Sequence, residues 1–355
     1  MELRILKRLF SPGEAEFALN LTLIPESAKV IAWRANISKK EACKRLESMA
    51  RKGLIIKMSP KIGKPLYLAA QFVIGIWELQ VERLTPGLAA DMEEYSLALF
   101  DEAWKRPQLR TVPVGRSVRA NLEVATYERA EKIVEKRKKY AVSPCICLRE
   151  RKLAGKGCGK PEFSCLSFDS TAQMVVERGY GRFVEKQAVL NLLEKADESG
   201  LVLQPGISRK TDFLCCCCGC CCGVLRALKQ FSKPAEHVSS PFSAASNPEK
   251  CIGCQICLDR CQMDALRFEY GAAFPDPNRC IGCGLCVSKC PTGALNLERK
   301  SDITQKIPRN IASALIAHGK ARGKLGPGQM TRMIMKSARD KAAAGLGPSP
   351  EKRSR

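Results

Sequence analysis

CIGCQICLDRCQMDAL at residues 251–266 and CIGCGLCVSKCPTGAL at residues 280–295 are two copies of one pattern, 29 residues apart and identical at 8 of 16 positions. Duplication is the simplest account. Each copy carries the run C-x2-C-x2-C-x3-C. Three cysteines in one tight loop reach three irons of a cubic iron–sulfur cluster, while the fourth, carried onto the following turn, points to the other cube. Ligation therefore crosses between the copies. Zinc also takes four thiolates, but its sites use two Cys-x2-Cys knuckles on separate hairpins and rarely three cysteines in so few residues. Gly253, Gly282 and Gly284 let the loop backbone turn its N–H groups toward sulfur, and Ile252, Ile256, Ile281 and Leu285 supply an apolar wall.

The second copy ends in Cys290-Pro291, and the pair of runs resembles the bacterial-type two-cluster ferredoxins. The resemblance implies a ferredoxin-like domain over residues 246–300 with two [4Fe–4S] clusters. One would take Cys251, Cys254, Cys257 and Cys290, the other Cys280, Cys283, Cys286 and Cys261. The first copy departs from the family pattern, with Gln262 where proline is usual. Proline is no ligand, so an altered turn or potential is expected and the cluster is kept.

Twenty cysteines in 355 residues lie in tight clusters, with only Cys43 standing alone. A disulfide framework would spread them, and the opening MELRILKRLFSPGE has no apolar leader pattern, so metal binding in a reducing cytoplasm is expected. Cys43, on the inner stripe of a helix, is read as a small core residue. Hydrophobic content of 45% and charged content of 27% exclude a wholly disordered or fibrous chain. The longest nearly apolar stretch, Tyr67 to Trp77, is too short to span a bilayer. A formal charge of +23 suits an acidic partner of several kinds, although each four-thiolate cluster would add about −2.

Eleven further cysteines form a middle group: Cys145, Cys147, Cys158 and Cys165, then Cys215 to Cys218 and Cys220 to Cys222. Adjacent side chains diverge, so seven thiols in eight residues cannot all hold one ion. Four thiolates of the 145–165 set match one further cluster, and members of the run complete it or hold another. Cys145, Cys147, Cys158, Cys165, Cys215, Cys217, Cys218 and Cys221 are the candidate ligands, for one or two extra iron–sulfur clusters or for zinc.

Toward the N-terminus, Ser11-Pro12-Gly13-Glu14 starts a helix to about Asn20, a second covers Glu26 to Ala35, and a third opens at Ser38 with Glu41 completing a capping box. A hairpin follows through Leu54 to Lys57 and Leu66 to Leu68. With its passage MARKGLI, the segment 11–68 resembles a winged helix-turn-helix domain. In that family the third helix and the wing face nucleic acid, which would make Lys39, Lys40, Lys44, Lys61 and Lys64 the contacts. The bland reading is a docking element with solvated lysines.

The expected architecture is α+β and multidomain. It comprises a winged-helix-like domain (1–75), a connecting region (76–140), a mixed helical cysteine-rich domain (141–235), the two-cluster ferredoxin domain (246–300) and a flexible basic tail (301–355). The tail carries 12 Lys and Arg against 3 Asp and Glu. Segments SPCIC, GCGKPEFSCL and CCCCGCCCGVL together resemble multi-cluster iron–sulfur proteins of anaerobic bacteria. No phosphate-binding glycine loop or Ser/His/Asp pattern is present, so electron transfer is the expected function, as a subunit or partner of an anaerobic oxidoreductase with a redox protein as donor or acceptor. An iron–sulfur redox-sensing regulator that binds DNA is the alternative, and a catalytic cysteine run is the third reading.

Overall fold

A computed structural model describes residues 1–60, 62–103, 106–120, 122–301 and 306–346. By their contacts the residues fall into two compact units, 1–95 with 322–355, and 96–321.

The first unit starts with a helix that the sequence did not announce, α1 (Glu2–Leu9), which buries Ile5 and Leu9. Then α2 (Pro12–Ala18) begins on a complete capping box between Ser11 and Glu14. The second expected helix is shorter than predicted, because Glu26 and Ser27 pair as a bridge strand β1 (Glu26–Ser27) before α3 (Ala28–Ala35). On α4 (Lys39–Arg51) the predicted stripe Ala42, Leu46, Met49 and Ala50 is buried. Only half of its capping box forms. Ser38 Oγ accepts from the Glu41 N–H at 3.1 Å, while the Glu41 carboxylate turns to Arg45 at 2.7 Å. Cys43 is half-buried and sits beside the core stripe, which corrects its reading as a core residue. Gly53, at φ +72°, ends the helix and leads to β2 (Ile55–Met58) and β3 (Leu66–Ala69), in a sheet of order β1-β3-β2. The next helix, α5 (Pro86–Ala103), offers Asp91 to Arg4 at 2.8 Å.

The second unit corrects the expectation of a mixed helical middle. Between α6 (Ala130–Glu135), α7 (Ile146–Leu153), α8 (Asp169–Glu177), α9 (Lys186–Glu198) and α10 (Gly223–Leu228) runs a five-stranded antiparallel sheet. Its strands are β4 (Tyr140–Ser143), β5 (Cys165–Phe168), β6 (Arg182–Phe183), β7 (Val202–Pro205) and β8 (Phe213–Cys217), in the order β6-β4-β5-β8-β7. Leu109 to Val112 runs along β7 through Arg110 N–H to Pro205 O (2.9 Å) and Val112 N–H to Leu203 O (3.1 Å). The first half of the cysteine run is therefore a strand. Alternation along it sends Cys215 and Cys217 to one face and Cys216 to the other.

The last part of this unit is a small duplicated module. Its outer strands β9 (Phe242–Ser246) and β12 (Leu295–Arg299) pair antiparallel, and between them lie α11 (Ile256–Arg260), the hairpin β10 (Leu266–Glu269) with β11 (Ala272–Pro275), and α12 (Leu285–Ser288). Phe242, Cys257, Ala273, Val287, Leu295 and Leu297 form its core.

Beyond the module come α13 (Ile311–Ala321) and α14 (Pro327–Leu346). The tail is thus not a free arm throughout its described part: α14 packs on α3 in the first unit. Glu26, fully buried, accepts from Arg34 at 2.9 and 3.0 Å and from Ser337 Oγ of α14 at 2.7 Å, and Arg34 also pairs with Asp340 at 2.9 Å. Four polar groups brought out of water satisfy one another, with Arg34 and Glu26 at the centre. Among the described residues no helix is long and apolar enough to cross a membrane.

Candidate metal centres

Two small hollows open in the duplicated module. The first is lined by Cys251, Cys254, Cys257 and Cys290, the second by Cys261, Cys280, Cys283 and Cys286. Each hollow therefore draws three cysteines from one repeat and the fourth from the other. The chain achieves this through left-handed residues at matching positions, Gly253 (φ +69°) with Gly282 (+68°), Gln255 (+58°) with Gly284 (+74°), and Asp264 (+53°) with Gly293 (+66°). Without those turns the loops could not wrap a hollow.

The two hollows differ in their surroundings. Around the first, Ile252 is 67% exposed, Ile256 44%, and Cys254 is also exposed. Around the second, Ile281 and Leu285 are buried, Val114 N–H binds Cys283 O at 3.0 Å, and a Cβ on Gly284 would collide with Ser117. A Cβ on Gly282 would likewise strike the Phe242 carbonyl. Backbone N–H groups reach sulfur here, Ala244 to Cys280 Sγ at 3.3 Å and Ala265 to Cys261 Sγ at 3.2 Å. Burial pushes the Cys283 thiol up to about 12 and raises Cys286 and Cys261 as well. At Cys290 burial is outweighed by backbone N–H groups from Leu295, Ala294 and Thr292 and by the Thr292 hydroxyl, so its thiol is held low. Such donors favour a thiolate, the form that binds iron.

Gln262, which replaces proline in the first repeat, has a specific task. Its Oε1 accepts from the Gly219 N–H at 2.7 Å, and a Cβ on Gly219 would clash with the Gln262 carbonyl. The side chain thus joins the second hollow to the turn in the middle of the cysteine run. Arg260 makes a parallel tie, with Leu285 O at 2.8 Å and buried Asp197 of α9 at 2.7 Å.

The middle cysteines divide into two groups, and not along the expected line. Cys158 leaves Cys145, Cys147 and Cys165 and meets Cys218, Cys220 and Cys221, with all four sulfurs within 4.8 Å of one another. Six of the other seven form a circuit of neighbouring thiols, while Cys216 lies on the opposite face of β8. Cys145 meets Cys147, Cys147 meets Cys222, Cys222 meets Cys217, Cys217 meets Cys215, and Cys215 meets Cys165 across the β5–β8 pair. Cys165 closes the circle toward Cys145. Hydrogen bonds from Cys165 and Cys217 hold Cys215 down to about 5, and Cys165 is raised in return by Cys215. Cys220 and Cys222 were missed as candidates. The signal was there, since strand alternation up to Cys217 followed by a Gly219 turn sorts the run by direction.

Lys39, Lys40 and Lys44 on α4 and Lys64 in the hairpin are exposed, and Lys61 lies outside the described residues. His237 stacks on Phe231 at 4.0 Å, well suited to a packing role.

A family model for a 4Fe-4S binding domain matches residues 245–267 and 273–296, the two halves of the module with the hollows. Comparison with curated proteins and with solved structures returned no match. The chain carries a 4Fe-4S binding domain on the C-terminal side of an α+β protein, and this domain supports an iron–sulfur electron-transfer role.

Proposed function

We propose that the chain is an electron-transfer protein holding two [4Fe–4S] clusters, one on Cys251, Cys254, Cys257 and Cys290 and one on Cys261, Cys280, Cys283 and Cys286. The single observation that carries this reading is the pair of four-cysteine hollows built by a duplicated sequence, with the fourth cysteine exchanged between repeats. When bound, such clusters take up and release single electrons. The residues around them fit that task. Apolar side chains exclude water from the second hollow, while N–H donors to Cys280 and Cys261 stabilise added negative charge on sulfur. Ile252 and Ile256 leave the first hollow with an apolar rim that a redox partner protein can cover, which makes it the exchange point. A larger anaerobic oxidoreductase is the natural setting for such a chain.

The ring of six thiols exceeds the needs of one tetrahedral ion and suits a further polynuclear iron–sulfur centre. Iron and sulfide analysis tests both statements: about eight of each per chain means the two clusters alone, and about twelve adds a centre on the ring. Reading the chain as a two-cluster carrier fails if Cys251→Ser and Cys280→Ser together leave every reduced [4Fe–4S] EPR signal intact.

The exposed lysines of α4 and the hairpin favour a second reading of the first unit, as a winged helix that contacts DNA under cluster control. Salt-dependent retention on duplex DNA that drops when Lys39 and Lys44 become Ala supports it. Absence of retention at low salt with the clusters loaded removes it.

A further inference from the structure

The geometry points to a mononuclear four-thiolate metal site on Cys158, Cys218, Cys220 and Cys221, occupied by zinc and separate from any iron–sulfur cluster. The sulfur spacing suits a single ion. Cys158 Sγ lies 3.5 Å from Cys221 Sγ and 3.9 Å from Cys218 Sγ, and Cys220 Sγ lies 3.9 Å from Cys221 Sγ. A tetrahedral ion with metal–sulfur bonds of about 2.3 Å spaces its sulfurs about 3.8 Å apart. Thiolates on a four-iron cube bind different irons and must stand much farther apart. Among the described residues this is the one group of three or more metal-binding side chains drawn so closely together. Closed four-thiolate coordination with no fifth position is the structural zinc pattern.

Two separate segments of the chain build the site. Cys158 sits in the loop between α7 and β5, flanked by Gly157 and Gly159, and the other three come from the turn that ends β8. Two backbone segments 60 residues apart are thus closed onto one point. Cys220 is exposed, which gives an ion a way in, while Cys218 and Cys221 are buried.

The position of the site gives it a role. The turn it fixes is the one whose Gly219 N–H reaches Gln262 beside Cys261. An ion there clamps the platform on which the second hollow rests, without passing electrons itself. The inference does not depend on the two-cluster reading, because it concerns other cysteines and another element.

The test uses the full chain, purified without oxygen and reconstituted with iron and sulfide. Zinc analysis is expected to give one zinc per chain, and zinc-edge X-ray absorption four sulfur neighbours at about 2.3 Å. Cys220→Ser, at the exposed ligand, should weaken zinc retention against a chelator at least tenfold while leaving iron and sulfide unchanged. Cys43→Ser should change neither. Three results overturn the proposal: no zinc in the wild-type chain, zinc with fewer than four sulfur neighbours, or loss of iron and sulfide in place of zinc from Cys220→Ser. The wild-type measurement needs no variant to fold. Failure of the two-cluster reading would appear separately, as missing iron with zinc retained.

Discussion

The two repeats of the 4Fe-4S binding domain share half their residues and almost all of their backbone turns, yet one faces water and the other is roofed by the rest of its unit. Position 284 shows the difference best. Gly284 and its counterpart Gln255 both adopt the left-handed conformation, but a side chain fits only at Gln255, which is exposed; at Gly284 it would enter Ser117. The same loop geometry is thus reached by tolerated strain in one copy and by an obligatory glycine in the other. Surroundings, and not the ligand pattern, distinguish the two copies.

The largest effect that could break this comparison is expected at that pair. Gly284→Ala combines a left-handed penalty of about 1–2 kcal/mol with overpacking against Ser117 of about 1–3 kcal/mol, so the variant should melt well below the parent and lose the second cluster first. Gln255→Ala should stay within about 1 kcal/mol of the parent in the same denaturation experiment. Equal losses at the two positions would show that the roof over the second copy has no energetic weight.

Exchanging Gln262 and its counterpart Pro291 comes next. Gln262→Pro removes the acceptor of the buried Gly219 N–H and should cost about 1–3 kcal/mol, read by chemical denaturation. Pro291→Gln lies at an exposed position and should change stability by less than about 0.5 kcal/mol. A neutral Gln262→Pro would reduce the joint to a packing coincidence.

A chelator challenge sharpens the comparison further. Iron should leave the Cys251 hollow several times faster than the Cys280 hollow, followed by the decay of the two reduced EPR signals, because Cys254 and Ile252 stand open to water while Ile281 and Leu285 do not. The smallest effect is expected from Ile252→Lys. It should slow electron exchange with a partner protein a fewfold by placing a charge on the apolar rim, with iron content unchanged.

Much of the domain was legible in its sequence, because ligand spacing and glycine placement are local requirements. The two cysteine loops and the stripe of α4 could be read from residues a few positions apart, whereas the assignment of Cys261 and Cys290 to opposite clusters rests on the resemblance to two-cluster ferredoxins. The five-stranded sheet could not, since its short strands are interrupted by cysteines whose chemistry masks the alternation of Phe213 to Cys217. The departure of Cys158 from its sequence neighbours was equally hidden, because it depends on where β8 ends and the Gly219 turn begins, a long-range fact. In the tail, Ser337 and Asp340 look like two polar residues in a basic segment, and only α3 reveals their partners, Glu26 and Arg34.

The most direct test of the central claim is the iron, acid-labile sulfide and EPR content of the reduced full chain beside Cys290→Ser. The account predicts at least about eight irons and eight sulfides per chain and, in the variant, a perturbed signal from the exposed cluster whose other ligands belong to the first repeat. A chain with less than about four irons, or a variant in which only the covered cluster changes, would contradict it.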